Sequence, residues 1–318
     1  MQKIDRVEVV QYDPNWPRIF EAEAVQIKKA LGCNCIAIHH IGSTSVPGLA
    51  AKPKIDIMAV VLDLFFKESQ LEAIGYRDRG GFNIPLQRYF TIRAEERSIN
   101  LHVFEENDPE IELNILFRDH LCRSSSAREE YELLKYRLIA EDSSHKKNDS
   151  IYRGYTLGKN DFIQNVLNQS GFNRYRFVLC AHTTEWDAVR YFRDKYFSAS
   201  SYADDPYIWT LKHSEHAHLV LYKGTEIIGY THIQFLPESR SAIRIIVVDE
   251  NQRNQNAGSR LLALSEKWLR SLGIKSIHAK SRESSLKFYL KNGYTKMPFD
   301  DLKGKKSDTD DIQIGKIL

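Results

Sequence analysis

The chain is poor in cysteine and carries no excess of charge of one sign. Its 318 residues include four cysteines, and the formal net charge is +3. A protein that coats nucleic acid needs a concentrated basic stripe, so no nucleic-acid partner is predicted. The cysteine spacing fits neither a disulfide framework nor a metal site, and we expect reduced thiols in a cytoplasmic protein. These residues are Cys33, Cys35, Cys122 and Cys180.

Long apolar runs are absent as well. No stretch approaches the roughly 20 apolar residues of a membrane-spanning helix, so no membrane partner is predicted. The first residues, Met-Gln-Lys-Ile-Asp-Arg-Val-Glu, lack the apolar segment of a signal peptide. What the chain does have is 42% hydrophobic and 27% charged residues, as in soluble globular proteins. Its length is sufficient for two domains with separate cores.

The most informative motif is Arg253-Asn254-Gln255-Asn256-Ala257-Gly258. It follows an apolar run at 245–248 and precedes a helical pattern over 258–271, which predicts a strand, a tight loop and a helix. The first backbone N–H groups of a helix have no partner within it, and the helix dipole favours an anion there. The loop is therefore a candidate pyrophosphate site. An ordinary strand-to-helix turn is the alternative.

A second motif lies further along the chain, in Ser284–Tyr294. The pattern predicts a short helix ended by a glycine and followed by a strand. Phe288 and Tyr289 on this helix could simply be core aromatics. Together, however, the two motifs resemble the Arg/Gln-x-x-Gly-x-Gly/Ala loop and the Ala-x-x-Phe-Tyr-x-x-x-Gly-Phe segment of the GCN5-related N-acetyltransferases (GNAT). Asn256 replaces the first glycine of that loop, and asparagine tolerates a left-handed backbone.

The GNAT resemblance implies a mixed, mostly antiparallel sheet with flanking helices over 175–318, in the order β-α-α-β-β-β-α-β-α-β. It implies acetyl-CoA as cofactor and a small-molecule or peptide amine as acceptor. In that family the tyrosine at the position of Tyr289 often protonates the departing thiolate. The base is not assigned; polar residues near the predicted sheet are Glu226, His232 and Asp249. The implied cofactor-binding residues are Ile246, Val247, Val248, Arg253, Asn254, Gln255, Asn256, Ala257, Gly258 and Ser259.

The first half of the chain has a motif of its own, Gly42-Ser43 followed by Asp56. It resembles the Gly-Ser…Asp pattern of polymerase-β-type nucleotidyltransferases, in which the turn holds a nucleotide phosphate and an Asp-x-Asp pair holds Mg²⁺. Met58 stands where the second carboxylate belongs. The resemblance therefore favours a nucleotidyltransferase-like mixed sheet with helices more than it favours two-metal chemistry. No metal site is predicted; Asp56 is a tentative candidate ligand for Mg²⁺, and His102 could occupy the place of a third metal carboxylate.

Several blocks over residues 7–167 are similar to the GrpB (UPF0157) family of predicted nucleotidyltransferases. They are 10–20, 40–58, 101–104, 116–121, 131–135 and 155–163. A nucleotide is accordingly a candidate partner, and the candidate nucleotide-binding residues are Gly42, Ser43, Thr44, Asp56 and His102. Arg118 and Lys159 could meet phosphates, but an internal pair with Asp119 and a solvated helix lysine are the preferred interpretations.

The turn-rich segment 168–174 follows a predicted helix at 155–169, and we place the domain boundary near Gly171. The predicted domains are 1–170, which is GrpB-like, and 171–318, which is GNAT-like. Both belong to the α/β class. His213, His216 and His218 are predicted to be surface residues near the start of a strand. An acetyltransferase is the leading hypothesis. The alternatives are a nucleotidyltransferase whose GNAT domain only senses coenzyme A, and a first domain that serves only for binding.

Overall fold

A computed structural model describes residues 8–94, 97–141, 155, 158–197, 208–301 and 311–318. The chain divides into two compact units. The first comprises Met1–Phe82 with Gln87–Arg174, and the second comprises Asn83–Leu86 with Tyr175–Leu318. Each unit has its own mixed sheet and its own hydrophobic clusters, so the predicted α/β class is confirmed. Within the described residues no helix is both long and apolar enough to cross a membrane.

The first unit contains a five-stranded sheet in the order β1-β2-β5-β4-β3. Strands β2 and β5 are parallel and the other neighbours are antiparallel. Every residue of β2 is buried except Asp56, which is partly exposed. A polar residue thus lies in a strand whose other residues are all buried. The strands are β1 (Cys35–Ile41), β2 (Ile55–Val61), β3 (Arg77–Asp78), β4 (Gln87–Ala94) and β5 (Arg97–Glu105).

The helices of the first unit begin and end at residues suited to those positions. Helix α1 has Pro17 in its first turn and ends at Gly32, whose φ is 57°. The side chain of Asp108 caps α3 by accepting from the N–H of Glu110 (2.9 Å). One apolar cluster joins α1 to the sheet, and another joins the remaining long helices to the segment after β1. The helices are α1 (Trp16–Leu31), α2 (Ser69–Glu72), α3 (Pro109–Arg123), α4 (Ser125–Glu141) and α5 (Asn160–Gln169).

The second unit contains a seven-stranded sheet in the order β11-β12-β10-β9-β8-β7-β6. Only β9 and β10 are parallel. The sheet is therefore mixed and mostly antiparallel, as predicted. The strands are β6 (Tyr175–Leu179), β7 (His216–Lys223), β8 (Glu226–Leu236), β9 (Arg240–Val248), β10 (Ser276–Ser281), β11 (Thr295–Lys296) and β12 (Ile312–Ile317).

The two faces of this sheet pack against different helices, α6 (Thr183–Phe197) on one face and α7 (Ala257–Ser271) with α8 (Glu283–Lys291) on the other. Alternation along β7 produces this division. Leu219 and Leu221 join the cluster that contains Leu261 of α7, whereas Val220 joins the cluster that contains Phe192 of α6.

Three details differ from the sequence predictions. The described helix before the second unit begins at Asn160 rather than at 155, and residues 156 and 157 lie outside the described part. Between β6 and β7 the structure describes one α-helix and a 3₁₀ turn at Ile208–Lys212, while 198–207 are outside the described residues. His218 is buried, with 3% of its surface exposed, because it lies on the face of β7 that α6 covers.

Candidate functional site

Strands β9 and β10 part halfway along β9. They pair only from Arg240 to Ile243 on β9, although β9 continues to Val248. On its other edge β9 remains paired with β8 as far as Val248. Within the described residues, segment 244–248 therefore has one edge with no strand partner. Backbone N–H and C=O groups on such an edge are available to an extended ligand.

A bulge and a group of charges mark the place where the strands part. Arg244 is the extra residue of β9, since Ile243 and Ile245 pair with consecutive residues of β8. Its guanidinium donates to both carboxylate oxygens of Asp301 (2.8 and 2.6 Å), and Lys280 of β10 also contacts Asp301 (2.8 Å). This ion triad of Arg244, Lys280 and Asp301 links the two strands beyond their last paired residues.

The loop after β9 has a backbone that suits its asparagines. Asp249 accepts from the N–H of Asn251 (3.0 Å) and so begins a 3₁₀ turn. Asn254 and Asn256 both have φ of 61°, in the left-handed region. Asn256, which replaces a family glycine, thus adopts a conformation that glycine favours. Arg253, Asn254, Gln255 and Asn256 are exposed.

Helix α7 begins directly after this loop. Its N-cap, Asn256, makes no side-chain capping hydrogen bond. Ala257 is buried, and a Cβ on Gly258 would lie 3.3 Å from Cε2 of Phe288 and 3.9 Å from Cγ2 of Val248. The structure therefore brings together the end of β9, the start of α7 and the second motif. Ser259 is partly exposed in the same turn.

Residues at the C-terminal end of helix α6 contact the loop that follows β9. The hydroxyl of Tyr196 accepts from the N–H of Glu250 (3.2 Å), and Lys195 contacts the Glu250 carboxylate (2.9 Å). The guanidinium of Arg253 lies 5.2 Å from the centre of the Tyr196 ring, and its Nε donates to the carbonyl of Val248 (3.3 Å). The Val248 carbonyl is consequently engaged by the loop itself.

Tyr289 lies in α8 and is buried, with 6% of its surface exposed. Its ring centre is 5.1 Å from that of Phe288 and 5.3 Å from that of Tyr294. Burial raises the pKa of the Tyr289 hydroxyl above its ordinary value. The hydroxyl is thus fully protonated at neutral pH, which is the form a proton donor requires.

The polar residues considered as bases occupy three different environments. Glu226 is exposed at the start of β8. His232 is buried and its Nε2 is 2.8 Å from Nδ1 of His216; burial lowers the pKa of His232 well below its ordinary value. Asp249 accepts a capping hydrogen bond in the loop and lies 3.7 Å from Lys195. Asp249 and His232 are therefore engaged in structural contacts.

In the first unit, Gly42 and Asp56 are in close contact. Gly42 has φ of 68°, and a Cβ there would lie 2.5 Å from Oδ2 of Asp56. Both the backbone conformation and the approach of the carboxylate therefore require glycine. Ser43, Thr44 and Ser45 form a 3₁₀ turn directly after it. The predicted turn and the predicted carboxylate are thus brought together.

The Asp56 carboxylate has neighbours on the adjoining strand β5. Asn100 donates from Nδ2 to Oδ1 of Asp56 (2.5 Å), and Nε2 of His102 lies 4.0 Å from the same oxygen. The other ring nitrogen of His102 is 3.0 Å from Oε1 of Gln87. Burial would raise the pKa of Asp56, but the nearby His102 ring and the hydrogen bond from Asn100 hold it below its ordinary value.

Thr44 and Arg118 have structural partners. Thr44 is buried, and its hydroxyl is hydrogen-bonded to Nε2 of His40 (3.0 Å). Arg118 pairs with Asp119 (2.7 Å) and donates to the carbonyl of His40 (3.1 Å), as the preferred interpretation required. Lys159, predicted to be a solvated helix residue, instead precedes α5 and lies partly buried over the ring of Tyr155 at 4.7 Å.

The residues around Asp56 do not suit a Mg²⁺ ion. Met58, two residues further along β2, is fully buried and supplies no oxygen. Asn100 directs its amide nitrogen, a donor, at the carboxylate. No group of three or more His, Cys, Asp or Glu side chains that could hold a metal ion occurs among the described residues. Since Mg²⁺ needs several oxygen ligands, the described residues around Asp56 do not fit this metal.

The model of the GrpB protein family matches residues 6–169, which is more than half of the chain. The chain belongs to the GrpB family. A second family model, the acetyltransferase (GNAT) family, matches residues 182–294. Both resemblances are therefore confirmed. Residues 6–169 lie in the GrpB domain and residues 182–294 in the GNAT domain; the predicted nucleotidyltransferase character of the former remains a prediction.

Individual relatives match one domain or the other. The UPF0157 protein YqkA of Bacillus subtilis is 36% identical over 162 residues, which are 50% of this chain and 46% of that protein. The chain thus spans about half the length of this relative. The crystal structure of GrpB from Enterococcus faecalis is 32% identical and covers 51% of this chain and 96% of its own, with a TM-score of 0.46. A GNAT-family acetyltransferase structure from Staphylococcus aureus Mu50 is 17% identical. The match covers 46% of this chain and 99% of that chain, with a TM-score of 0.39.

Sequence reasoning missed the residues that depend on contacts between distant segments. The ion triad joins β9, β10 and a residue that follows α8, and no local pattern marks it. The role of Tyr196 was missed as well, since its hydroxyl accepts from the N–H of Glu250 in the loop after β9. Asn100 and Gln87 were also missed; alternation of polar residues along β5 beside His102 was the signal that could have found Asn100.

Proposed function

We propose that the GNAT domain is an N-acetyltransferase that transfers the acetyl group of acetyl-CoA to an amine of a small molecule or peptide. The observation that carries the proposal is the parting of β9 from β10 directly before the 253–258 loop and the start of α7. The extended pantetheine arm of acetyl-CoA needs an open strand edge, and its pyrophosphate needs a loop at a helix N-terminus. The two features must lie side by side. The acceptor's identity is the remaining question for experiment.

The residues at the end of β9 and in the 253–258 loop suit the acetyl donor, acetyl-CoA. In this proposal the free edge of β9 at Ile246, Val247 and Val248 holds the pantetheine arm, chiefly through the first two residues because Arg253 already contacts the Val248 carbonyl. The exposed loop and the first turn of α7 hold the pyrophosphate. Asn256 leaves the first N–H groups of α7 without a side-chain cap, and the helix dipole favours an anion there.

Acetyl-CoA supplies an acetyl group held in a thioester. The amine nitrogen bonds to the carbonyl carbon and loses a proton, while the carbon–sulfur bond breaks and the sulfur gains a proton. We assign the second proton to Tyr289, whose buried hydroxyl stays protonated at neutral pH. Water carries the amine proton in this proposal, since His232 and Asp249 have structural partners.

The test separates donor binding from chemistry in the full-length protein. Acetyl-CoA is titrated by calorimetry into the parent, Ser259→Glu and Ser126→Glu. A carboxylate in the first turn is favourable for the helix itself, so Ser259→Glu should fold normally while it repels the pyrophosphate. We expect a loss of affinity of at least about tenfold. Ser126→Glu makes the same change in the first turn of α4, where Ser126 is exposed, and should bind like the parent.

The chemistry is tested with Tyr289→Phe in an acceptor screen that detects free thiol. We expect unchanged acetyl-CoA affinity and a turnover lower by about 100-fold, the usual contribution of a positioned acid. Equal binding by parent and Ser259→Glu would contradict the assigned donor site. Tight binding with no turnover on any amine would instead support the alternative in which this domain only senses coenzyme A.

A further inference from the structure

The GrpB domain contains a group of lysines near the Gly42 turn that the proposed acetyltransferase does not use. Lys52 and Lys54 precede β2, Lys135 lies in α4 and Lys159 precedes α5. We call these four residues the lysine cluster. Three are partly buried, and Lys135 is fully buried with 1% of its surface exposed. Lysine is rarely buried without compensation, so a concentration of this kind needs a physical reason.

Two buried tyrosines contact three members of the lysine cluster. The ammonium groups of Lys52 and Lys159 lie 4.0 and 4.7 Å from the centre of the Tyr155 ring. The ammonium group of Lys135 lies 5.0 Å from the centre of the Tyr131 ring. Aromatic faces attract cations without neutralising them. The two ammonium groups at Tyr155 therefore keep their charge while the ring fixes their position.

The lysine cluster lies beside the predicted nucleotide-binding turn. Tyr131 of α4 packs in one apolar cluster with Val46 and Leu49, which follow the turn, and Lys135 donates to the carbonyl of Ala50. Asp56 interacts electrostatically with Lys52, Lys54 and Lys159. The lysines therefore lie near enough to the Asp56 carboxylate to interact with it, and α4 packs against the segment that follows the Gly42 turn.

Among the described residues, lysines outnumber carboxylates at this site. Lys52, Lys54 and Lys159 interact with the Asp56 carboxylate, whereas burial lowers the pKa of Lys135 to about 7 beside Glu132. The Glu132 carboxylate also accepts from the N–H of Ala50 (2.9 Å). Burial and repulsion from Lys159 and Lys54 lower the pKa of Lys52 to about 8. Burial lowers the pKa of Lys159 to about 8 as well. The ammonium groups therefore repel one another, and an anion between them would relieve that repulsion.

The described side chains around Asp56 do not suit a divalent cation. The one central carboxylate is engaged by Asn100 and approached by Gly42, and the second carboxylate position holds Met58. In a metal-dependent phosphate site the cation supplies the positive charge that faces the phosphates. Here lysine side chains supply that charge.

We propose that the lysine cluster binds the oligophosphate chain of a nucleotide or of free tripolyphosphate without a divalent cation. Lys52, Lys54 and Lys159 contact the anion, and Lys135 holds the segment after the Gly42 turn through Ala50. Asp56 serves to position the lysines and the turn rather than to bind a metal. The proposal is independent of the acetyltransferase activity assigned to the other domain.

The test is calorimetric titration of tripolyphosphate into the full-length protein in the presence of EDTA. Lys52→Gln and Lys159→Gln each remove one charge from the site and should lower the affinity by at least about tenfold. Lys67→Gln is the matched control, because Lys67 is an exposed lysine of the same domain, and it should bind like the parent. Added Mg²⁺ should leave the affinity unchanged or weaken it by binding the free phosphate.

Thermal unfolding of the unliganded variants distinguishes a binding role from a structural one. Removing one of several repelling charges should leave Lys159→Gln as stable as the parent or more stable, so lost affinity would not reflect misfolding. ATP in place of tripolyphosphate identifies the source of the phosphate chain. Tighter binding of ATP would indicate a nucleotide, and equal binding would indicate recognition of the chain alone. Binding that requires Mg²⁺, or that is unaffected in both lysine variants, would overturn the proposal.

Discussion

At the scale of single residues, backbone conformation decides which positions of the two sites could be recognised from sequence. Asn256 was expected to tolerate a left-handed backbone in place of the family glycine, and its φ of 61° agrees. Gly42 was singled out for its turn, and the structure adds the contact with Asp56. The partner of Thr44 could not be predicted from local sequence, because its hydroxyl is hydrogen-bonded to His40 of the preceding strand. That contact depends on how the turn folds back.

The contact between Gly42 and Asp56 leads to a stability prediction with a matched control. Gly42→Ala would place a Cβ 2.5 Å from Oδ2 of Asp56 at a φ of 68°. Gly48→Ala has a similar φ of 78° but no atom within 4 Å of its Cβ. The control should therefore lose only the backbone term of about 1–2 kcal/mol. Gly42→Ala should lose a further 1–3 kcal/mol, roughly, from displacement of the carboxylate. Urea unfolding measures both.

Equal losses in the two glycine variants would mean that Asp56 moves aside without cost. The Gly42 turn would then not fix the carboxylate, and the argument that Asp56 positions the turn and the lysine cluster would weaken accordingly.

At the scale of helices and strands, the sequence predicts which elements exist and in what order better than it predicts which strands pair. The helix predicted over 258–271 agrees with α7 apart from its first residue, whereas β9 begins at Arg240, five residues before the apolar run at 245–248 that predicted it. The point where β9 leaves β10 could not be predicted, because it depends on the register of two strands joined through α7. His218 was misplaced for a related reason. Its burial follows from which face of β7 is covered by α6, and a histidine does not reveal that face.

The ion triad at the parting strands should be important for stability. Arg244 and Asp301 are 7% and 5% exposed, and Lys280 is 17% exposed. Asp301→Asn would leave two buried cations without their carboxylate, which typically costs about 3–5 kcal/mol. Asp187→Asn is the control, since Asp187 pairs with Arg190 on the surface of α6. Surface pairs contribute about 0–1 kcal/mol, so the control should be nearly neutral in denaturant unfolding.

The contribution of Asp301 should also depend on pH. Burial alone would raise its pKa, but hydrogen bonds from Arg244 and Lys280 lower it to about 2. An unfolded aspartate has a pKa of about 3.9. A folded pKa below the unfolded one stabilises the protein above pH 4, roughly, and this stabilisation is lost as the pH falls towards about 2. The difference between parent and Asp301→Asn should shrink over that window; a difference that is constant down to pH 2 would contradict the triad.

At the scale of the whole molecule, two motifs from unrelated families were enough to predict two domains. The GrpB and GNAT family models match separate parts of the chain. The sequence shows this because the motifs are local, each within a few tens of residues. It does not show the lysine cluster, whose members come from a loop, from α4 and from the residue before α5. Such a site appears only when the chain is folded, since its residues share no spacing.

Separate cores predict separate ligand responses in the intact chain. Each unit has its own apolar clusters, so thermal unfolding should resolve two transitions. Acetyl-CoA should raise the transition of the GNAT domain, and tripolyphosphate in EDTA should raise that of the GrpB domain. At a ligand concentration of 100 times Kd the gain is about 2.7 kcal/mol. Ser259→Glu should abolish only the first shift and Lys159→Gln only the second. If acetyl-CoA raised both transitions in the parent and neither in Ser259→Glu, donor binding would be coupled to the GrpB domain, and the two sites would have to be treated as one regulated system.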